Sequence, residues 1–312
     1  MFLNSDYEQK NRFNRKIREI FRKGSRTYYN SSRKFPEKIR EDVSILYAFV
    51  RVADNYVDAV PQKKDEFLNF KEKTIRCLRG ETVDDDIITS MVELCRRKEI
   101  NEDFVLSFLE SMESDMHKSV YYTVKETIDY MYGSAEVIGL MMSRIMDLDS
   151  QSLHYARLLG RTMQYINFIR DLDEDLKLNR QYLPVDDMHQ FGLESLQYEY
   201  VIGRKEEFRS FMRFEIDRYR EWIEVASEGF GLIPRDCRIP IMTATDMYLW
   251  TAKVIYGNPF IVFKKKVKPF KLRILFSLIR NKITSSRRCR IQFNEESFRS
   301  MEEEFLSIKR SF

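Results

Sequence analysis

VSILYAFVRVADNYVD, residues 43–58, is apolar almost throughout, and what interrupts it is Arg51, Asp54, Asn55 and Asp58. With Tyr47, the charged positions keep spacings of 4, 3 and 4 (Tyr47, Arg51, Asp54, Asp58). On a helix, at about 100° per residue, these four side chains fall within roughly 60° of arc. One narrow stripe therefore carries a phenol, a cation and two carboxylates. Ile45, Leu46, Ala48, Phe49, Val50, Val52, Ala53 and Val57 surround it with surface that reads as buried.

A second stripe lies in residues 150–177. Gln164, Asn167, Asp171 and Asp175 have spacings of 3, 4 and 4, with Arg170 beside them. Leu158, Leu159, Met163, Ile166, Phe168 and Ile169 fill much of the remaining helix surface. A buried carboxylate without a partner is costly, so it takes up a proton or binds a cation. Two such stripes imply acid faces meeting across a cavity. Asp and Asn oxygens are ligands that Mg²⁺ accepts, and this ion commonly bridges carboxylates to substrate phosphates. Arg51 and Arg170 are placed to meet the same phosphates with forked hydrogen bonds. Two structural alternatives stand beside this reading: solvated helix faces, and salt bridging between the stripes and the arginines.

Outward from the stripes, helical periodicity is nearly continuous. It predicts helices near 7–22, 37–59, 63–79, 84–97, 101–118, 124–147, 150–177, 204–228, 235–256, 269–282 and 294–309. Pro36 and Pro61 bracket the second of these. Asn101 with Glu102 and Asp103 marks a start, and Thr123 with Glu126 makes a capping box. Residues 178–203 lack a clear period and read as a long functional loop. With only 10 Gly and 7 Pro in 312 residues, 43% of them hydrophobic, the composition favours an all-α fold. No repeat or linker divides it, so a single domain over 1–312 is expected, with an N-terminal helix in 1–20 and basic then acidic helices in 264–312.

The formal charge of +4 is too balanced to argue nucleic-acid binding. Cys77, Cys95, Cys237 and Cys289 form no metal-ligand pattern and read as free thiols in a reducing compartment. The charged N-terminus is no signal peptide, and no apolar run is long enough to span a bilayer. A cytoplasmic protein is expected. Segment 264–290 holds eleven Lys/Arg and no acid, interleaved with large apolar residues. It reads either as peripheral contact with an anionic membrane or as an amphipathic helix with a solvated basic face.

In this order the motifs resemble the squalene/phytoene synthase family, the head-to-head trans-prenyl synthases. Tyr47 through Asp58 is similar to the family's first aspartate motif, and Gln164 through Asp175 to its second. Ser25 to Tyr28 with Phe35 and Pro36, Met112 to Met116, Tyr130 to Gly139, Arg180 to Pro184, and Tyr248 with the Lys264–Val267 run resemble further family segments. There are departures: Asn55 stands for a second Asp, Gly24 for a His of some members, Glu136 for a helix glycine near the prenyl tail, and lysine for a late arginine. The resemblance implies an isoprenoid-synthase-type helical bundle around a central cavity. It implies two prenyl diphosphates and three Mg²⁺ held by Asp54, Asp58, Asn167, Asp171 and Asp175. Ser25, Arg51, Gln164, Asn167, Arg170 and Lys265 or Lys266 are implied for substrate binding, with Tyr47, Tyr130 and Tyr248 steering protons or shielding a carbocation. The expected product is phytoene from geranylgeranyl diphosphate. The alternatives are a squalene or dehydrosqualene synthase using farnesyl diphosphate, with NADPH if squalene-type, and an inactive relative serving as an assembly factor.

Overall fold

The computed structural model describes residues 32–284 together with 17, 19–22 and 24. The expected helix 294–309 and most of 7–22 lie outside the described residues. Pro36 holds the chain extended at φ −49° and ψ 148°, and helix α1 begins at once, Glu37–Val57. Helix α2 is Lys64–Leu78. Helix α3, Asp86–Arg97, starts where the Asp85 carboxylate accepts the N–H groups of Ile87 and Ile88 at 3.0 and 3.1 Å. Asn101 opens α4, Glu102–Ser114, by accepting from the Asp103 N–H at 2.9 Å. Thr123 opens α5, Val124–Met131, by accepting from the Glu126 N–H at 3.1 Å. The return bond of this capping box goes one residue upstream, from the Tyr122 N–H to the Glu126 carboxylate at 3.2 Å.

The helix expected over 124–147 is interrupted. After α5 comes a π-helical turn, Tyr132–Glu136, and then α6, Val137–Ile145. Such a turn inserts one residue into the helical ladder and rotates the helix beyond it. The expected helix over 150–177 divides at Asp171 into α7, Leu153–Arg170, and α8, Leu172–Lys177. The 178–203 loop carries two short helices, α9 (Val185–Gln190) and α10 (Tyr198–Val201), each too short to show a period in sequence. Three helices complete the described chain: α11 (Lys205–Glu228), α12 (Arg235–Gly257) and α13 (Lys271–Thr284). Among the described residues there is no strand, only one parallel bridge between Val120 and Gln181. No helix among them is long and apolar enough to cross a membrane.

α1 is central. Its Ala48, Phe49 and Ala53 are fully buried, with the Phe49 ring 5.1 Å from Phe70 and 6.1 Å from Phe108. Buried Asp42 takes both ends of the Arg97 guanidinium at 2.7 and 2.9 Å and ties α1 to α3. α11 packs along α7 around a buried polar cluster. There Arg218 donates to Glu215, Asp187 and the Tyr165 hydroxyl at 2.6, 2.7 and 2.9 Å.

α6 and the π turn lie against α7 at backbone contact. A Cβ on Gly160 would sit 2.4 Å from the Ala135 carbonyl oxygen, and one on Gly139 would sit 2.1 Å from that of Ala156. On an open helix face, Gly→Ala stabilises by about 1 kcal/mol. Here the sign should reverse. Gly160→Ala is expected to lower stability by about 1–3 kcal/mol through overpacking, seen as a lower thermal midpoint.

Candidate active site

The two stripes face one cavity of about 1050 Å³. α1 contributes Tyr47, Arg51, Asp54 and Asp58, and α7 with α8 contributes Gln164, Asn167, Arg170, Asp171 and Asp175. Tyr130 from α5 and Tyr248 from α12 line the same space. The interruption at Asp171 does not break the second stripe. Its N–H donates to the Asn167 carbonyl at 2.8 Å, and the Asp175 N–H donates to the Asp171 carbonyl at 2.9 Å. The i to i+4 bonding thus runs through the break and keeps Asp175 in line. Ser25 lies outside the described residues. Lys265 is exposed and does not line the cavity; the lysine at the acids is Lys266, 3.0 Å from Asp171 and 2.6 Å from Glu174.

Charges within the rows are arranged in pairs. Arg51 bonds Asp54 on α1. Arg170 grips both oxygens of Asp171 at 2.5 and 2.7 Å. Arg180, itself buried just past α8, donates through its guanidinium to Asp58 and to the Val57 carbonyl, each at 2.8 Å, while its backbone N–H donates to the Asp175 carbonyl at 2.9 Å. The salt bridging weighed from sequence is therefore present, yet it is incomplete. Asp175 forms no salt bridge among the described residues, and Asn167 Oδ1 is buried with no hydrogen-bond partner.

Burial, and then the neighbouring charge of Asp58, push the Asp54 carboxyl up to about 7. About a third of that side chain remains open, so what it meets is cavity space deep inside the fold. Burial and the nearby Asp171 push Asp175 up to about 8. Asp54 keeps Arg51 beside it, whereas Asp175 has no ion-pair partner among the described residues.

Stripe spacing alone does not disclose Asp115, Tyr182 or Arg180. Asp115, just past α4, accepts hydrogen bonds from the hydroxyls of Tyr130 at 2.7 Å and Tyr182 at 3.0 Å. Burial pushes Asp115 up to about 6, against the pull of those two bonds. Phe168 and Tyr182 stack at 4.4 Å, and Tyr130 stacks on Tyr182 at 5.2 Å. The backbone bond from the Gln181 N–H to the Ser119 carbonyl, at 2.7 Å, fixes this corner. The signal in sequence was the Arg180–Pro184 segment, but only the fold brings it beside Asp58.

Away from the acids the cavity is apolar, lined by Met142, Met146, Leu159, Met163, Phe230 and Met247 among others. Glu136 does not enter it. The π turn aims this fully buried carboxylate at α7, where Arg157 and Arg161 donate to it at 2.9 and 2.6 Å.

The residues present fit a hard cation. An unpartnered buried amide oxygen and two carboxyls held above their ordinary range mark a place where positive charge is missing. Among the described residues no three His, Cys, Asp or Glu side chains converge into a closed cage. Because Arg180 ties α1 to the second row, Arg180→Met should destabilise the fold by about 1–3 kcal/mol, read from denaturant unfolding.

Comparison with known proteins gives a consistent answer. The family model for squalene/phytoene synthase matches residues 21–273. The chain is 27% identical over 277 residues to the 15-cis-phytoene synthase of Synechococcus elongatus, covering 84% of this chain and 89% of that one. It is 28% identical over 249 residues to the phytoene synthase of Rhodobacter capsulatus, covering 77% and 74%. The fold matches a crystal structure of a dehydrosqualene synthase with ligand at a TM-score of 0.74 and 20% identity, covering 90% of this chain and 99% of that one. It also matches a squalene synthase from Alicyclobacillus acidocaldarius at 0.69 and 20% identity, covering 83% and 95%. The chain belongs to the squalene/phytoene synthase family and is a prenyltransferase of the head-to-head prenyl diphosphate type.

Proposed function

We propose that the protein condenses two molecules of geranylgeranyl diphosphate head to head to phytoene, through a cyclopropylcarbinyl diphosphate. The observation that carries this reading is the pairing of two acid rows with an apolar chamber in one cavity. At about 1050 Å³ it reaches the upper end of small-molecule pockets, which suits two long chains. The names of the curated relatives support the C20 substrate.

In roles, Asp54, Asp58, Asn167, Asp171 and Asp175 would hold Mg²⁺. Bound there, the ion would neutralise the charge that develops on departing diphosphate. Arg51, Arg170 and Lys266, with Gln164 and Ser25, would bind and orient the diphosphates. The allylic C–O bond of the first substrate breaks, and its electron pair leaves with diphosphate. The double bond of the second substrate attacks the resulting cation, and loss of a proton closes the cyclopropane. A second ionisation, rearrangement and proton loss give the C40 hydrocarbon. Tyr47, Tyr130 and Tyr248 would face the cationic centres. The Tyr130 hydroxyl donates a hydrogen bond to Asp115, so the ring is held in place. An enzyme of this kind would work in the cytoplasm, and its greasy product calls for a lipid reservoir. Of the basic segment 264–290, the described part, 264–284, carries exposed lysines that fit peripheral membrane contact.

Asp54→Asn and Asp171→Asn should each lower turnover by on the order of 100-fold or more while leaving the thermal midpoint nearly unchanged. Near-normal diphosphate release in either variant removes that residue from the site. Chelation with EDTA should abolish release and added Mg²⁺ restore it. Extracting the hydrocarbon formed from geranylgeranyl or farnesyl diphosphate, with and without NADPH, identifies the product. A C30 hydrocarbon would overturn the C20 reading, and no release from either substrate would point to an inactive relative.

A further inference from the structure

Helix α13 reverses the usual arrangement of a surface helix. Its packed side is largely polar. Ser277 and Asn281 each donate to Asp246 Oδ2 at 2.7 Å, and Arg280 pairs with the same oxygen at 2.6 Å, with Ile274 tucked in beside them. Its outer side is apolar. Leu272, Leu275, Phe276, Ile279 and Ile283 are 72, 53, 68, 52 and 74% exposed, and Phe270 extends the row. Spacings of 3, 1, 3 and 4 place the five on one continuous stripe. A helix facing water presents the opposite pattern. A contiguous apolar patch of this kind marks an interaction surface.

Charge decides the occupant. Residues 264–284 contain no Asp or Glu. Lys264, Lys265, Lys268, Lys271 and Lys282 are exposed and form no salt bridge among the described residues. In a two-fold contact with a second copy this basic rim would meet itself. An apolar stripe edged by lysines instead matches the boundary between acyl chains and anionic headgroups. The same segment also reaches the cavity: Lys266, Val267 and Lys268, a few residues upstream of α13, line it beside Asp171.

We propose that α13 docks the protein on an anionic bilayer, apolar stripe inward, bringing the acid end of the cavity close to the lipid surface. The purpose of such docking rests on the reaction proposed above, since its substrates and product are lipids, but the docking itself is measured without turnover. The test is co-sedimentation of the full chain with vesicles of phosphatidylcholine alone or mixed with phosphatidylglycerol, at low and high salt. The wild type should bind the anionic vesicles, weakly or not at all the neutral ones, and less at high salt. Phe276→Ser with Ile279→Ser, and separately Lys271→Glu with Lys282→Glu, should each lower the bound fraction at limiting lipid roughly tenfold. Circular dichroism melts show whether both variants stay folded, and diphosphate release in detergent solution should be unchanged. If the wild type stays in the supernatant, the docking surface is wrong and the reaction is untouched. The docking surface is equally wrong if both folded variants bind as the wild type does, or if the apolar variant merely turns a dimer into monomers. Failure to release diphosphate, with vesicle binding intact, removes the reaction and leaves the docking.

Discussion

The constraint that organises this molecule is the burial of carboxylates inside an apolar helical shell. Removing a charge from water costs several kcal/mol unless an opposite charge accompanies it. Here basic partners do so unevenly. Arg51 attends Asp54, Arg170 and Lys266 attend Asp171, and Arg180 attends Asp58. Asp175 and the Asn167 carbonyl are left over. This deficit of positive charge, in a cavity of about 1050 Å³, is what a bound divalent cation would fill.

The chamber's shape depends on backbone contact as much as on side chains. Gly139 and Gly160 let α6 and the π turn come against α7 with no side chain between them. The π turn then aims Ser134 and Ala135 at the cavity and Glu136 away from it, into the arms of Arg157 and Arg161. The glutamate that the sequence resemblance sets at a family glycine thus places no charge in the cavity. A buried carboxylate between two arginines is costly to break, and it locks this wall to α7.

Much of this was legible from the chain. Helix starts at Asn101 and Thr123 rest on local side-chain bonds, so sequence places them well. The stripes of α1 and α7–α8 follow from a spacing that any helix turns into one face. The π turn was not legible, because one inserted residue leaves the apolar rhythm of 124–147 almost unchanged. The short helices α9 and α10 offered fewer than two turns of pattern. Lys266, rather than Lys265, reaches the acids because of how the chain leaves the 3₁₀ turn Pro259–Phe263, which neighbouring lysines cannot encode.

By itself the sequence determined an all-α chain bearing two acid-and-arginine faces, since periodicity and spacing act within a single helix. Only the tertiary structure decided that these faces share one cavity, that Arg180 and Asp115 join them, and that α13 turns its apolar side outward. Those outcomes depend on contacts between residues as far apart as Asp58 and Arg180, and no local pattern records which distant helix supplies the partner.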